Sequence, residues 1–366
     1  MPSFWSVPFS ETARSVLRPA VRQVREVSPR MRMLTQGGRG PLAVFLPTYG
    51  REGAALVRIY AVAAALRAHG WRTLVLSPRL SLGQRHRLLA RAAPDVLVLQ
   101  GVRHDLNRPH LYPGQPIVMD LDDADFHLPH LAAPLRRAMP HLAAVIAGSD
   151  YVARWCLSAG APAHVVWTGM PVTRAPRPAH HTRPPVVAWA QSRPMTYVRE
   201  AEMVRALLAR LARRHPNVRF RLYDRQSGDD PGFADWFRQT GVPVDWVPKM
   251  ALPAYVRSFD DVALGLAPLS LETPFSRGKS FGKVLAYLDR HVPVIGSDAG
   301  EHGAFFTPET GVISNDLDVW TDGAARLLSD ATARDAMAAA AGRAYRARLS
   351  TEAAARQVDL ILKEIT

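Results

Sequence analysis

Two lysines placed four residues apart form the most informative chemical pattern in the chain. The sequence contains only four lysines, which are Lys249, Lys279, Lys283 and Lys363. Lys279 and Lys283 lie in the run SRGKSFGK, whereas nearly every other positive charge in the chain is an arginine. A compact ammonium group kept in an otherwise arginine-rich chain suits a phosphate group. The pair therefore indicates an anion-binding site, with a solvated basic helix start as the alternative interpretation.

The segments around this pair predict where the anion would lie. Residues 262–267 read as a buried strand and residues 279–289 as a helix, which would then begin at the carboxyl edge of a sheet. Free N–H groups and the helix dipole favour an anion at such a point, and Ser280 can cap the helix. The other groups that we expect to surround the anion are Arg277, Gly278, Lys279 and Lys283. The segment thus predicts a diphosphate cradle, although it lacks the full pattern of a P-loop.

An acidic run follows another apolar strand, over residues 117–119. Its carboxylates are Asp120, Asp122, Asp123 and Asp125. Because they follow a strand, we expect them at the carboxyl edge of a sheet, facing a cleft. Close carboxylates can raise one pKa and create a general base, can bind a metal ion through oxygen, or can cap the next segment. We favour Asp122 or Asp123 as the candidate catalytic residues of this run.

The composition narrows the classes of partner. The 366 residues are 48% hydrophobic and 21% charged, with a net charge of +14 and a pI of about 10.6. Such a basic chain suits anionic partners, but it has no zinc-finger spacing, aromatic RNA-binding pattern or heptad array, so we expect no nucleic acid. No apolar run reaches the length that spans a bilayer. The single cysteine, Cys156, excludes an internal disulfide and a cysteine metal cluster, and we expect a cytoplasmic protein.

Two series of alternating strands and helices predict the architecture. Short apolar runs recur from residue 42 to 167 and again from residue 186 to 313, with helical periodicity between them. Strands of this kind form parallel sheets that are covered on both faces. A stretch with four prolines, RAPRPAHHTRPP, separates the two series and predicts an extended linker. The fold class is therefore α/β, with two Rossmann-like doubly wound domains that face each other across a cleft.

The predicted organisation has five parts. They are a basic extension over residues 1–40, an N-terminal Rossmann-like domain over 41–173, a Pro-rich linker over 174–185, a C-terminal Rossmann-like domain over 186–348 and a C-terminal helix over 349–366. The extension carries seven arginines against two glutamates. Its arginines fall on one face of a helix, which can lie on an anionic membrane surface. A surface helix packed on the body, or a frayed arm, explains the pattern equally well.

The chain resembles a known family at several of these points. The run Thr273-Pro274-Phe275-Ser276-Arg277-Gly278-Lys279-Ser280, then Lys283 and Pro293-Val294-Ile295-Gly296-Ser297-Asp298, is similar to the C-terminal signature of GT-B glycosyltransferases. It looks most like the family-4 group of nucleotide-sugar enzymes and its subgroup with an RGKS loop. In the first half, the stretches 120–126 and 147–152 resemble the same subgroup. The resemblance covers roughly residues 42–345.

The resemblance implies a function and assigns roles to residues. A nucleotide diphosphate sugar would bind the C-terminal domain as co-substrate, with no cofactor, and the acceptor would bind the N-terminal domain. Transfer in this family usually occurs with retention and without a metal. Arg193 or Arg199 would supply a further basic group near the diphosphate, and Asp122 or Asp123 would contact the acceptor or donor sugar. Gly50, Arg51 and Arg58 resemble the loop that meets an acceptor or a donor phosphate, while Arg58 fits an exposed helix residue equally well.

One position departs from the family pattern. The family commonly carries a glutamate that grips the nucleotide ribose, and Ala286 stands at that position here. We predict a glycosyltransferase that acts on a glycan, lipid-linked or small-molecule acceptor in polysaccharide or envelope synthesis. It would be cytoplasmic, or peripheral on the inner face of the cytoplasmic membrane. The alternatives are a catalytically degenerate binding or scaffold protein, motivated by Ala286, and a nucleotide-sugar 2-epimerase of the same architecture.

Overall fold

The computed structural model describes residues 40–224 and 231–366. The predicted basic extension, apart from Gly40, lies outside the described residues. No helix within the described ranges combines the length and the apolar character that a bilayer crossing needs.

The first sheet has six parallel strands in the order β2-β1-β3-β4-β5-β6. The strands are β1 (Leu42–Leu46), β2 (Arg72–Val75), β3 (Val96–Gln100), β4 (Ile117–Leu121), β5 (Ala144–Ala147) and β6 (Ala163–Val165). Every residue of β1, β3, β4 and β5 is buried, since helices cover both faces of the sheet.

The second sheet repeats this plan in the order β12-β11-β10-β7-β8-β9, again with parallel pairing throughout. Its strands are β7 (Val186–Ala190), β8 (Arg219–Tyr223), β9 (Val244–Val247), β10 (Leu264–Ala267), β11 (Val294–Gly296) and β12 (Val312–Ile313). Two doubly wound parallel sheets confirm the predicted fold class. The predicted domain boundaries remain predictions, although each sheet falls inside its predicted range.

The helices fill the connections between strands. Helix α1 runs through residues 55–69, with π-helical, α-helical and 3-10 segments in turn. The other helices of the described residues are α2 (Leu82–Ala92), α3 (Pro129–Ala138), α4 (Asp150–Ser158), α5 (Val198–Arg214), α6 (Pro231–Arg238), α7 (Leu252–Arg257), α8 (Pro274–Arg277), α9 (Leu285–Asp289), α10 (His302–Phe305), α11 (Leu317–Ser329), α12 (Ala331–Arg348) and α13 (Thr351–Ile365).

The last helix, α13, returns to the first sheet. Its buried Val358 and Leu362 pack with Ile59 and Val62 of α1. The indole N–H of Trp71 donates to Asp359 Oδ1 at 2.8 Å. Helix α13 thus forms part of the core of the first domain.

The Pro-rich segment is bonded to the second domain. Prolines have no backbone N–H, but their carbonyls still need donors when they approach a protein surface. Arg290 of the second domain donates to the Pro176 carbonyl at 2.7 Å. Arg183 of the segment donates to the Val262 carbonyl of the second domain at 3.0 Å. Arg177 of the segment itself donates to the Asp289 carbonyl at 2.6 Å. These arginines replace the backbone ladder that the segment cannot form.

Candidate functional site

An ion pair between the predicted lysine and acidic clusters joins the carboxyl edges of the two sheets. The acidic turn that follows β4 belongs to the first domain, and the loop between α8 and α9 belongs to the second. Lys279 Nζ of that loop lies 2.9 Å from Asp123 Oδ1 of the turn. The structure therefore brings the predicted lysine cluster and the predicted acidic cluster to one place.

Asp123 is held between two cations. Besides Lys279, the guanidinium of Arg103 donates to Asp123 Oδ2 at 2.9 Å, and it also pairs with Asp125. Burial disfavours the charged carboxylate, but the two cations outweigh burial and lower the pKa of Asp123 to about 2. Asp123 is thus ionised at neutral pH. If one carboxylate of the acidic run acts as a base with a raised pKa, it is therefore not Asp123, whose neighbours are cations.

Asp122 is positioned by a hydroxyl group and by a glycine. Thr168 Oγ1 donates to Asp122 Oδ1 at 2.6 Å. Gly148 follows β5 and packs directly on Asp122, since a Cβ there would lie 2.7 Å from the same oxygen. Any larger residue at position 148 would displace the carboxylate. The half-buried Asp122 therefore has a fixed orientation at the carboxyl edge.

Three carboxylates of the acidic turn are paired with basic side chains. Among residues 40–224 and 231–366, no three His, Cys, Asp or Glu side chains are grouped closely enough to hold a metal ion. The carboxylates are instead distributed among separate partners within the fold. Asp120 pairs with Arg58, Asp125 pairs with Arg103, and Asp123 pairs with Lys279.

Lys279 sits in an aromatic and acidic environment. Its ammonium lies 4.3 Å from the centre of the Phe275 ring and 6.0 Å from that of Tyr197. Burial opposes its charge, but the Asp123 carboxylate outweighs burial and raises the pKa of Lys279 above its ordinary value. Lys279 is therefore a stable cation with one carboxylate partner.

Lys283 differs from Lys279 in having no such partner. It is half-buried, and its ammonium makes no hydrogen bond or ion pair within the part of the chain that the structure describes. Burial and the nearby charge of Lys279 lower the pKa of Lys283 to about 8, although Asp123 and Asp122 oppose this shift. A desolvated cation without a counter-ion is the arrangement that an anionic ligand would stabilise.

The predicted helix over residues 279–289 is wrong in its first half. Helix α8 ends at Arg277, a 3-10 turn covers Phe281–Lys283, and α9 begins only at Leu285. Contacts with the first domain interrupt the helix. Ser149 Oγ donates to the Gly278 carbonyl at 3.1 Å, and Ser280 Oγ accepts from the Thr168 N–H at 3.2 Å. Ser280 therefore bonds to the opposite domain and does not cap a helix, so no helix dipole is available to an anion there.

The remaining predicted donor residues occupy the exposed rim. Arg193 follows β7 and is exposed, at the start of a 3-10 turn. Arg277 is also exposed and donates to the Leu271 carbonyl at 3.2 Å. Arg199 is held by two carboxylates, Glu202 and Glu272, each at 3.2 Å. The charge of Arg199 is thus already paired on the surface.

The predicted acceptor residues separate into two groups. Gly50 and Arg51 are exposed after β1, and Arg51 lies over the Tyr60 ring at 5.4 Å. Arg58 is buried, so its interpretation as an exposed helix residue is wrong. Its guanidinium donates to both oxygens of Asp120 and to neighbouring backbone and hydroxyl oxygens. These bonds use all its donors, so Arg58 has none left for a phosphate.

Three residues of this region were not identified from the sequence. They are Arg103, Thr168 and Glu301. Glu301 accepts the Asp150 N–H at 2.8 Å and the Trp167 indole N–H at 2.7 Å, and so ties the second domain to the first. Each of the three lies shortly after the end of a strand. The rule that ligands bind at carboxyl edges would have selected them.

Ala286 lies in α9 and is buried. The nearest acidic residue along the helix, Asp289, is fully buried and accepts the Thr173 N–H at 2.8 Å. The carboxylate of Asp289 is thus used within the fold.

Comparisons with known proteins show the fold. Neither a protein-family model nor a curated protein matches the chain. The backbone is similar to that of Anabaena HepE in complex with UDP and glucose, with a TM-score of 0.66 and 16% identity over 88% of this chain and 100% of that one. It is similar to the lipopolysaccharide outer core galactosyltransferase WaaB, with a TM-score of 0.60 and 12% identity over 89% and 100%.

A putative UDP-N-acetylglucosamine 2-epimerase from Listeria monocytogenes shares the architecture as well. Its TM-score is 0.55, with 10% identity over 87% of this chain and 95% of that one. Together with the two parallel sheets, these likenesses show that the chain has the two-domain GT-B fold. Because transferases and an epimerase share it, the fold alone does not choose between their reactions.

Proposed function

We propose that the chain is a glycosyltransferase that moves a sugar from a nucleotide diphosphate sugar to a glycan, lipid-linked or small-molecule acceptor. The observation that carries this proposal is the half-buried ammonium of Lys283, which has no partner among the described residues and lies beside Lys279. Both lysines follow β10 at the carboxyl edge of the second sheet, where ligands of such sheets bind.

The charges suit the departure of a nucleotide diphosphate. Negative charge develops on the leaving diphosphate in the transition state, and fixed cations stabilise it there. Lys279, Lys283 and Arg193 would supply these cations. Asp122 and Asp123, on the facing edge, would contact the hydroxyls of the donor or acceptor sugar. An ionised Asp123 is a hydrogen-bond acceptor, which suits this role better than proton transfer.

Calorimetric titration with UDP, GDP, ADP and dTDP tests the proposal. We expect at least one nucleotide to bind the wild-type protein. Lys279→Ala should weaken that binding about thirtyfold to a hundredfold, or about 2–3 kcal/mol, since a charge-assisted contact is lost. It should lower the free energy of unfolding by only about 1 kcal/mol, because Arg103 still pairs with Asp123. The control is Lys363→Ala, which removes an exposed lysine on α13.

Two outcomes would contradict the proposal. If none of the four nucleotides binds, no donor site is present. If Lys279→Ala reduces stability as much as it reduces binding, the lysine is structural and the Asp123 pair merely joins the two domains.

A non-catalytic binding protein is the second candidate, and Ala286 favours it. No carboxylate stands at this buried position to hold a ribose. A binding protein would retain nucleotide affinity without transferring or hydrolysing the sugar. Release of UDP from UDP-glucose, followed in the presence of candidate acceptors, distinguishes the two.

The proposal extends to the stereochemistry of the reaction and to the location of the protein. We propose a retaining reaction that needs no metal, by analogy with the family that the chain resembles. We also propose a cytoplasmic location, with peripheral attachment to the inner face of the membrane through the basic residues 1–40. An epimerase is less favoured, because it needs carboxylic acid and base pairs, and Asp123 has a pKa of about 2.

A further inference from the structure

Four aromatic side chains form a continuous patch beside the acidic turn. We define the aromatic patch as Phe126, His127, Tyr151 and Trp155. Phe126 stacks on Trp155 with a ring separation of 4.4 Å and an angle of 6°. His127 lies nearly parallel to Tyr151 at 5.8 Å and 19°, and its Nε2 is 2.8 Å from the Tyr151 hydroxyl. The four rings thus form one ordered surface with polar atoms at its edge.

The patch remains partly open to solvent. His127 is exposed, and the other three rings are half-buried against the core of the first domain. Phe126 and Trp155 pack on that core, so a purely structural role accounts for these two rings. It does not explain His127, whose ring is exposed yet aligned with Tyr151 and bonded to its hydroxyl.

The chain places this patch next to the candidate donor site. Phe126 and His127 follow Asp125 in the same turn that carries Asp123, and Tyr151 is in the first turn of α4. Ser149, which caps α4, donates to the Gly278 carbonyl in the loop between α8 and α9. Burial, and after it the positive charge of Arg277 of the second domain, lowers the pKa of His127.

A pyranose ring is the ligand that such a surface fits. Sugars present an apolar face of C–H groups and an edge of hydroxyls, so they match a flat aromatic surface with polar atoms at its margin. The lowered pKa keeps the His127 ring neutral at neutral pH, which suits stacking. The Tyr151 hydroxyl, His127 Nδ1 and the Asp123 carboxylate are hydrogen-bond partners for the hydroxyl edge, because His127 Nε2 is already bonded to Tyr151.

We propose that the aromatic patch is the acceptor subsite and binds a pyranose unit of the acceptor by stacking on His127 and Tyr151. This inference rests on the proposed transferase function. It adds that the acceptor carries a sugar ring and names the residues that select it. An acceptor without a sugar ring would have no use for the stacked imidazole and phenol.

Saturation-transfer NMR on the full-length protein tests the proposal. The probes are methyl glucoside, methyl galactoside, methyl mannoside and N-acetylglucosamine, each with and without UDP. We expect at least one probe to bind the wild type and to lose about fivefold or more of its affinity in Tyr151→Leu and in His127→Leu. The matched control is Trp236→Leu, because Trp236 is a half-buried ring that stacks on Phe233 in the other domain.

The readouts separate this proposal from the transferase proposal. Thermal unfolding confirms that each variant is folded, and calorimetry with UDP reports the donor site independently. If sugar binding survives in both variants, or if no probe binds the wild type, the acceptor subsite is wrong even when UDP binds. If UDP fails to bind the wild type, the transferase proposal fails, whatever the sugars show.

Discussion

At the scale of single residues, the two lysines of the candidate site differ in their partners. Lys279 and Lys283 carry the same charge and lie four residues apart, but only Lys279 has a carboxylate partner. The Asp123 carboxylate pairs with the Lys279 ammonium in the same way that an anionic ligand would. A diphosphate that arrives at this loop must therefore compete with Asp123 for Lys279, whereas Lys283 is available to it without competition.

The pKa of Lys283 predicts a pH dependence of nucleotide binding. With a pKa of about 8, Lys283 is charged below that pH and loses its proton as the pH rises through it. A bound diphosphate favours the charged form, so the affinity for the nucleotide should fall by about three- to tenfold between pH 7 and pH 9.5. Calorimetry at several pH values measures this change.

Lys283→Arg is the matched variant for this prediction. A guanidinium stays protonated throughout the range, so the pH dependence should disappear while binding itself persists. If wild-type affinity is constant from pH 7 to pH 9.5, Lys283 does not contact the ligand.

At the scale of elements, the Pro-rich segment contains a buried histidine, His180, whose protonation state affects the stability of the fold. His180 is 2% exposed, and its Nε2 lies 2.8 Å from the His291 carbonyl. Burial, reinforced by the charge of Arg183 and to a lesser degree Arg334, lowers the pKa of His180 to about 4, although Asp335 opposes the shift. The pKa of His291 is also lowered to about 4, chiefly by burial. Both imidazoles are therefore neutral in the folded protein at neutral pH.

These shifts predict a loss of stability in mild acid. The unfolded chain binds a proton on His180 near pH 6.5, whereas the folded chain does so only near pH 4. Acidification therefore favours the unfolded state within this window, by about 2 kcal/mol at pH 5 for this residue. In the wild type, the free energy of unfolding measured in urea should be lower at pH 5 than at pH 7.5. His180→Gln should make this difference smaller by about 2 kcal/mol.

The neighbouring His181 provides the control for this measurement. It is exposed, and His181→Gln should leave the pH dependence as it is in the wild type. An unchanged dependence in His180→Gln would show that other groups, such as His291, dominate acid unfolding.

The strands that could be predicted from the sequence are those in which every residue is buried. Strands β1, β4, β7 and β10 were predicted as apolar runs, because both faces of a parallel sheet are buried. The helix over residues 279–289 was predicted wrongly, because contacts of Gly278 and Ser280 with the other domain override local helical preference.

Long-range partners limited the prediction of the site in the same way. Arg58 reads as a surface helix residue, since its partner Asp120 is 62 positions away along the chain. Nothing local distinguishes buried His180 from exposed His181. Arg103 could have been selected from the sequence, because it follows β3 at the same edge of the sheet as the acidic turn.

At the scale of the whole molecule, the C-terminal helix joins the two domains. Helix α13 follows α12 directly, yet its apolar face packs on the first sheet. Trp71 of the first domain donates to Asp359 of this helix. The first domain is thus completed only after the second has been synthesised, so the stability of the first depends on residues at the end of the chain.

A pair of leucines on α13 tests this dependence. Leu362 is 0% exposed and packs in the core of the first domain, whereas Leu360 is 62% exposed on the same helix. Leu362→Ala should lower the free energy of unfolding by about 2–5 kcal/mol through lost burial and a cavity, and Leu360→Ala by less than about 0.5 kcal/mol. Hydrogen exchange followed by mass spectrometry locates the effect. Leu362→Ala should accelerate exchange in β1 and β2 more than in β7 and β8, and equal acceleration in both sheets would mean that the two domains unfold as one unit.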